Sequence, residues 1–333
     1  MFMRASASFL AWLAIVASKC GACHCSSPTR TSQNPGSEPW LEELVQSLRA
    51  GDNRLVRPSP AAETVARQAR AARDGEIAVV TSVLSGTGSS VVARCLAAEA
   101  SHLLTTNNPS NRLTLVESGA LPPLVTLVQA ATERGATDDD IRCGEEAAEA
   151  LWILAFAGGG VENSLGGSLS HKFLHASDAI SVLGAAVLRG PTAKGRMWAA
   201  AALGNLAAAY ADAVPAEMSE RARMAMLDQH GLLEMLVQMC NRGPVHPDMD
   251  KTLWPSAATK FERHSETIQA WGAGQALKNL ALSPTARPTL KRAGVAQAMC
   301  KLRESPDWLE KLKAEATLGN LDITDCHRLH AEL

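Results

Sequence analysis

The chain has 333 residues, 32 Lys plus Arg against 34 Asp plus Glu, and a formal net charge of −2, so it carries no global basic field for nucleic acid. Aromatic residues make up 4 % with a single Tyr, which argues against a stacking platform for single strands. No uninterrupted apolar stretch reaches the ~18 residues of a spanning helix, so no membrane span is expected in the mature chain.

Residues 1–25 have the layout of a signal or targeting segment. Arg4 supplies a positive start, Phe9–Ala17 (FLAWLAIVA) a short apolar run, and Ala17, Ser18, Gly21 and Ala22 the small residues of a cleavage region. Entry to the secretory pathway, or to a plastid through it, is the expectation; a cytoplasmic chain whose start mimics a signal is the alternative. Cys20, Cys23 and His24 follow with the Cys-x-x-Cys-His spacing of c-type haem attachment. No small cytochrome-like domain comes after them, and the competing reading is the cysteine-rich end of a discarded peptide. Residues 26–37 are rich in Pro, Ser and Thr and read as a disordered linker.

Residues 38–74 read as N-terminal capping helices. Ser37 can cap a helix holding Trp40, Leu41, Leu44, Val45 and Leu48, with Gly51 closing it. Ala61–Arg73 reads as a second, basic helix with Arg67, Arg70 and Arg73 on one solvated side.

From residue 75 a pattern repeats. Ala199, Ala202, Leu203 and Leu206 stand at i, i+3, i+4 and i+7, one stripe of a helix. The same quartet occurs at Ala147, Ala150, Leu151, Leu154, at Ala273, Ala276, Leu277, Leu280 and at Ala314, Thr317, Leu318, Leu321. A weaker copy is Ala97, Ala100, Ser101, Leu104. Ahead of several quartets comes a Leu-x-x-x-Gly signal, at Leu115/Gly119, Leu227/Gly231 and Leu290/Gly294. The glycine ends one helix in a left-handed conformation and turns the chain into the next. Units of about 75–110, 111–159, 160–212, 219–282 and 285–322 result, with 323–333 as a tail. One unit cannot bury its apolar faces alone, but a stack of them can.

Two loops exceed the plain repeat. Thr132–Gly144 carries Asp138, Asp139 and Asp140, and Gly243–Glu266 carries His246, Trp254 and His264. Long irregular segments inside an array are functional or disordered, and disorder is the expectation for the second. The glycine-rich opening of the third unit is expected to be loop or frayed helix.

The stretches LVESGALPPLVTLV (115–128), AAAALGNLAA (199–208), MLDQHGLLEMLV (226–237) and GAGQALKNLAL (272–282) resemble armadillo repeats. The resemblance covers roughly residues 75 to 322 and implies an all-α, right-handed armadillo/HEAT-like superhelix of about five repeats. It also implies a non-catalytic scaffold that binds a protein or an extended peptide along its concave face. Asn205, Asn279 and Asn320 occupy one equivalent position in three units, and the resemblance implies that they hydrogen-bond a ligand backbone. An amide can answer both the donor and the acceptor of a peptide unit; bracing a neighbouring loop is the competing role. Nuclear-import receptors of this family place Trp one turn before each Asn. Here Ala201, Gln275 and Ala316 stand there, and Leu103 and Ile153 replace the asparagine in two other units. Trp198 lies two turns before Asn205 and joins the candidate binding residues.

An enzymatic alternative exists on related architecture: some bilin lyases are HEAT-type proteins, and AAEALWILAF (147–156) resembles such a unit. Phosphate-loop, nucleophile-elbow and zinc-protease motifs are not found, and neither catalytic residues, a metal nor a cofactor is expected. His171 and His175 share a helical face without a third ligand and read as surface residues. Glu145, Glu146 and Glu149 read as acids lining a helix start. Cys95, Cys240 and Cys300 read as small core residues, and Cys143 as lying beside a loop. With Cys326 these make an odd set whose spacing suggests no disulfide framework and a reducing compartment.

Overall fold

The computed structural model describes residues 36–52, 75–106, 108–156, 171, 174, 178–208, 214–241, 258–304 and 308–326. The signal segment, the Cys20–Cys23–His24 motif, nearly all of the linker, the basic helix at 61–73, the glycine-rich opening of the third unit, His175 and residues 327–333 lie outside the described residues.

Among the described residues there are fourteen helices and no strand. Six form an inner wall: α1 (Glu38–Asp52), α3 (Val91–Thr105), α6 (Asp138–Leu154), α8 (Ala193–Leu206), α11 (Ala258–Leu280) and α14 (Trp308–Asn320). Each packs on the next in that order. A second row backs the wall: α2 (Glu76–Ser85), α5 (Leu121–Ala130), α7 (Ala179–Arg189), α10 (Leu232–Cys240) and α13 (Val295–Arg303), each against the wall helix that follows it in the chain. Three short helices, α4 (Pro109–Glu117), α9 (Ala216–Leu227) and α12 (Arg287–Arg292), cross between units. This is an armadillo-type solenoid, and α1 occupies the place of the wall helix of a preceding unit.

The quartets build the wall. Every quartet side chain is 2 % exposed or less, including Ser101 and Thr317. Those two hydroxyls stay satisfied by donating to the carbonyl one turn back, Ala97 at 2.8 Å and Lys313 at 2.7 Å. Small residues bring α8 and α11 together: a Cβ on Gly272 would meet the Met197 carbonyl oxygen at 2.5 Å, and one on Gly204 the Ala276 nitrogen at 3.0 Å. The turn glycines behave as their spacing predicts, with φ of 86° at Gly119, 82° at Gly231 and 79° at Gly294.

A wall helix leaves carbonyls unpaired at its C-terminus. Side chains from the following segment supply donors. Asn111 donates to Leu104 O at 2.9 Å, Arg223 to Ala207 O at 2.9 Å and Ser219 to Ala208 O at 2.7 Å. The cation at 223 also suits the negative end of the helix dipole. His171 plays this part in the third unit: it is fully buried, with Nε2 3.0 Å from Ala155 O at the end of α6. The expectation of a surface histidine is therefore corrected for this residue.

Three further expectations change. Asp138–Asp140 are the first turn of α6, not loop, because Thr137 forms a capping box with Asp140. The hydrogen bonds from the Thr137 side chain and backbone hold the Asp140 carboxyl below its ordinary value. Cys143, placed beside a loop by the sequence, is consequently buried within α6. The stretch 258–266 is the start of α11, so helix reaches well into the segment read as a long loop.

Cys300 of α13 is joined to Cys326, 26 residues further on, in a disulfide. The expectation of no disulfide framework is thereby corrected; two cysteines meet because the chain after α14 folds back onto α13. Cys95, Cys143 and Cys240 are free thiols, all buried. Among the described residues no single helix is long and apolar enough to cross a membrane.

Candidate functional site

Five wall helices present equivalent positions to the concave side. Counting from the first alanine of each quartet, the sixth residue on is Leu103, Ile153, Asn205, Asn279 and Asn320. The fifth is His102, Trp152, Gly204, Lys278 and Gly319, and the second is Glu99, Glu149, Ala201, Gln275 and Ala316. The wall thus passes from acid on α3 and α6, through tryptophan and alanine, to lysine on α11.

The asparagines are tied to the wall itself. Asn205 Nδ2 donates to Trp152 O at 2.9 Å, Asn279 Nδ2 to Gly204 O at 2.7 Å and Asn320 Nδ2 to Lys278 O at 3.4 Å. In each case the sixth position of one helix reaches the carbonyl at the fifth position of the helix before. Asn205 and Asn279 are buried and Asn320 is half-buried. A repeated interhelical brace is therefore one role of these residues.

Trp198, isolated in the sequence, has two partners in space. Its ring centroid lies 4.7 Å from that of Trp152 and 6.3 Å from that of Trp271, and Trp152 and Trp271 are 5.5 Å apart in an edge-on arrangement. The three rings come from α6, α8 and α11, so the outer two meet across α8, where the groove-side residue is the fully buried Ala201. Such offset and edge-on contacts contribute about 0.5–1.5 kcal/mol each beyond area burial. Lys313 of α14 extends the cluster: its ammonium sits 3.9 Å from the Trp271 ring centre and donates to Trp271 O at 3.0 Å. The Trp198 indole N–H is buried without a hydrogen-bond acceptor among the described residues, an arrangement that costs about 1–3 kcal/mol.

On the N-terminal side lies a buried ionic network. Lys194 of α8 sits 2.7 Å from Glu146, 3.7 Å from Glu145 and 3.9 Å from Glu149, all on α6. His102 of α3 approaches the same group, Nδ1 3.5 Å from Glu146 and Nε2 4.0 Å from Glu149. Arg49 of α1 pairs with Glu99 beside them. Burial pushes Glu145 and Glu149 upward, with Lys194 opposing. Glu146 suffers the same burial, yet Lys194 and His102 hold its carboxyl below the ordinary value. Burial disfavours the Lys194 charge, but Glu146, Glu149 and Glu145 outweigh it and raise the ammonium's pKa. These glutamates lie well inside α6, which begins at Asp138, so the reading of them as helix-start acids is corrected. His102, Glu146 and Glu149 place candidate metal-ligand atoms within 4.8 Å of one another. The Lys194 ammonium already serves as their cation, and a metal ion would have to compete with it.

On the C-terminal side, Lys278 of α11 is half-buried and its ammonium has neither ion pair nor hydrogen bond among the described residues. Burial alone moves its pKa down.

The sequence signalled the asparagine row through its spacing. The tryptophan cluster was hidden because its members stand at different quartet positions, one before, two before and five after the first alanine.

No protein-family model and no curated protein sequence matches this chain. Solved structures do. A designed armadillo repeat protein matches with a TM-score of 0.55 at 21 % identity, covering 84 % of this chain and 99 % of that one. Another, in complex with the peptide (KR)4, gives 0.53 at 20 % identity over 84 % and 99 %. The armadillo-repeats-only protein of Plasmodium falciparum gives 0.50 at 13 % identity over 77 % and 97 %. The chain is similar to these in fold, an armadillo-type repeat.

Proposed function

We propose that this protein is a non-catalytic scaffold that holds an extended polypeptide along the wall formed by α3, α6, α8, α11 and α14. The observation that carries this reading is the cluster of Trp152, Trp198 and Trp271 in mid-wall. Large aromatic groups gathered at one spot are the usual anchors of a protein interface, and Trp198, partly exposed over the buried Trp152 and Trp271, is the member that meets the partner. The asparagines have two roles in this reading. At Asn205, Asn279 and Asn320 one N–H braces the neighbouring helix, and at Asn320, the half-buried one, the side-chain oxygen accepts from the partner's backbone. The designed relative that carries a bound peptide supports the architecture as a peptide holder.

The test is selection of displayed peptides on the full-length chain, with the tryptophan fluorescence read on titration of each selected peptide. Binding that perturbs the emission and falls at least tenfold in Trp198→Ala supports the proposal. Peptides that bind Trp198→Ala as tightly as the parent, or no enrichment at all, overturn it.

A further inference from the structure

The wall is electrically lopsided, and the two ends are incomplete in opposite senses. At the α3–α6 end, Glu145, Glu146 and Glu149 converge on one ammonium, that of Lys194, with His102 as the other basic group beside them. Three carboxylates therefore share one full cation. Arg49 also acts on Glu146 from nearby, but its direct partner is Glu99. At the α11 end the situation is inverted. Lys278 is half-buried without an anion beside it among the described residues, and the neighbouring positions Gln275 and Asn279 are neutral. Between the two ends stand the tryptophans. Like charges crowded together, and a charge with no partner, are both arrangements that a ligand of the opposite sign stabilises.

Resting on the scaffold reading above, we propose that the ligand of this wall is a peptide segment of mixed charge. It carries a Lys or Arg that sits over Glu145, Glu146 and Glu149, an apolar residue against the tryptophans, and an Asp or Glu that pairs with Lys278. The spacing follows from the fold. The acidic site is on α6 and Lys278 is on α11, two helix spacings away along the wall. At ~8–10 Å per spacing that is roughly 16–20 Å. An extended chain advances about 3.3 Å per residue, so the cation and the anion of the ligand are separated by about five or six residues. A uniformly basic segment meets repulsion at Lys278, and a uniformly acidic one at the glutamates. The polarity therefore selects against both.

The experiment is fluorescence anisotropy of labelled ten-residue peptides with the full chain at moderate salt. One set carries a Lys and a Glu five or six residues apart around a central Leu, in both chain directions. The others carry Lys at both places or Glu at both places. The expected result is at least tenfold tighter binding of one mixed-charge direction than of either uniform peptide. Lys278→Glu should reverse the order, making the doubly basic peptide the best ligand. Uniform peptides that bind the parent as well as the mixed ones, or an unchanged order in Lys278→Glu, overturn the charge-polarity inference and leave the scaffold reading standing. If no peptide of any pattern binds while selection on displayed libraries also fails, the scaffold reading falls and this inference with it.

Discussion

Asn279 on α11 donates its side-chain amide to the carbonyl oxygen of Gly204 on α8 at 2.7 Å, across 75 residues of sequence. The bond is buried and joins two wall helices that are far apart in sequence and closely packed in space. Asn279→Ala leaves the Gly204 carbonyl without this donor in a site closed to water, and the expected loss is ~1–3 kcal/mol. Asn320→Ala, whose bond is 3.4 Å long at the less enclosed end of the stack, should cost under ~1 kcal/mol. Urea unfolding of the two variants side by side checks the ranking.

Glycine to alanine inside a helix ordinarily stabilises by up to ~1 kcal/mol. Gly272→Ala should do the opposite. Its added methyl would lie 2.5 Å from the Met197 carbonyl oxygen, which belongs to backbone and cannot swing away. The expected loss is ~1–3 kcal/mol from forced separation of α8 and α11. Gly319, where nothing among the described residues lies within 4 Å of an added Cβ, is the control and should gain. Thermal denaturation of both variants reads the two signs directly.

The Lys194 network gives stability a pH dependence whose sign can be worked out. Glu146 is depressed in the folded state, so its contribution is full above the ordinary carboxylate value of 4.5 and is lost as pH falls through its lower folded value. Glu145 and Glu149 are raised, so the folded form binds more protons than the unfolded one just above pH 4.5 and their effect on stability worsens as pH rises there. Lys194 is raised, so its contribution holds below 10.5 and is lost as pH climbs through the folded value. Lys194→Met leaves the glutamates without their ammonium and should cost about 3 kcal/mol at pH 7. Because the carboxylates can then take up protons, the deficit should shrink between pH 7 and pH 5. A deficit independent of pH in guanidinium titrations would count against the network.

Cys300–Cys326 closes a loop with a sequence separation of 26, for which the chain-entropy relation gives about 3–4 kcal/mol. Cys326→Ser should lower the unfolding free energy by that order, and adding dithiothreitol to the parent should match it. The buried Cys240 thiol is pushed up to about 12 by burial; it should resist alkylation until the chain unfolds.

The stacking order was legible because it is written in local spacing. The alanine–leucine quartets mark the five wall helices of the repeats, and Gly119, Gly231 and Gly294 mark the turns that feed the helices behind them. What was not legible depends on superposition of units. Lys194 meets Glu146 only because α6 and α8 lie side by side, and nothing in either helix alone announces the pair. Cys300 and Cys326 meet because the chain after α14 returns to α13. Asp138–Asp140 looked like a loop because an acidic run carries no apolar period. The Thr137 cap makes it a helix start. His171 looked like a surface residue for want of a third ligand, whereas its ring is committed to the open end of α6.

The wall of α3, α6, α8, α11 and α14, rather than any other surface, is the proposed seat of the partner polypeptide. Photo-crosslinking from a benzoylphenylalanine placed at the apolar position of a selected peptide, followed by mass-spectrometric mapping, tests it most directly. The expected adducts lie on α6, α8 and α11, centred on Trp152, Trp198 and Trp271. Adducts concentrated on α4, α9 and α12, or on α5, α7 and α10 behind the wall, would contradict it.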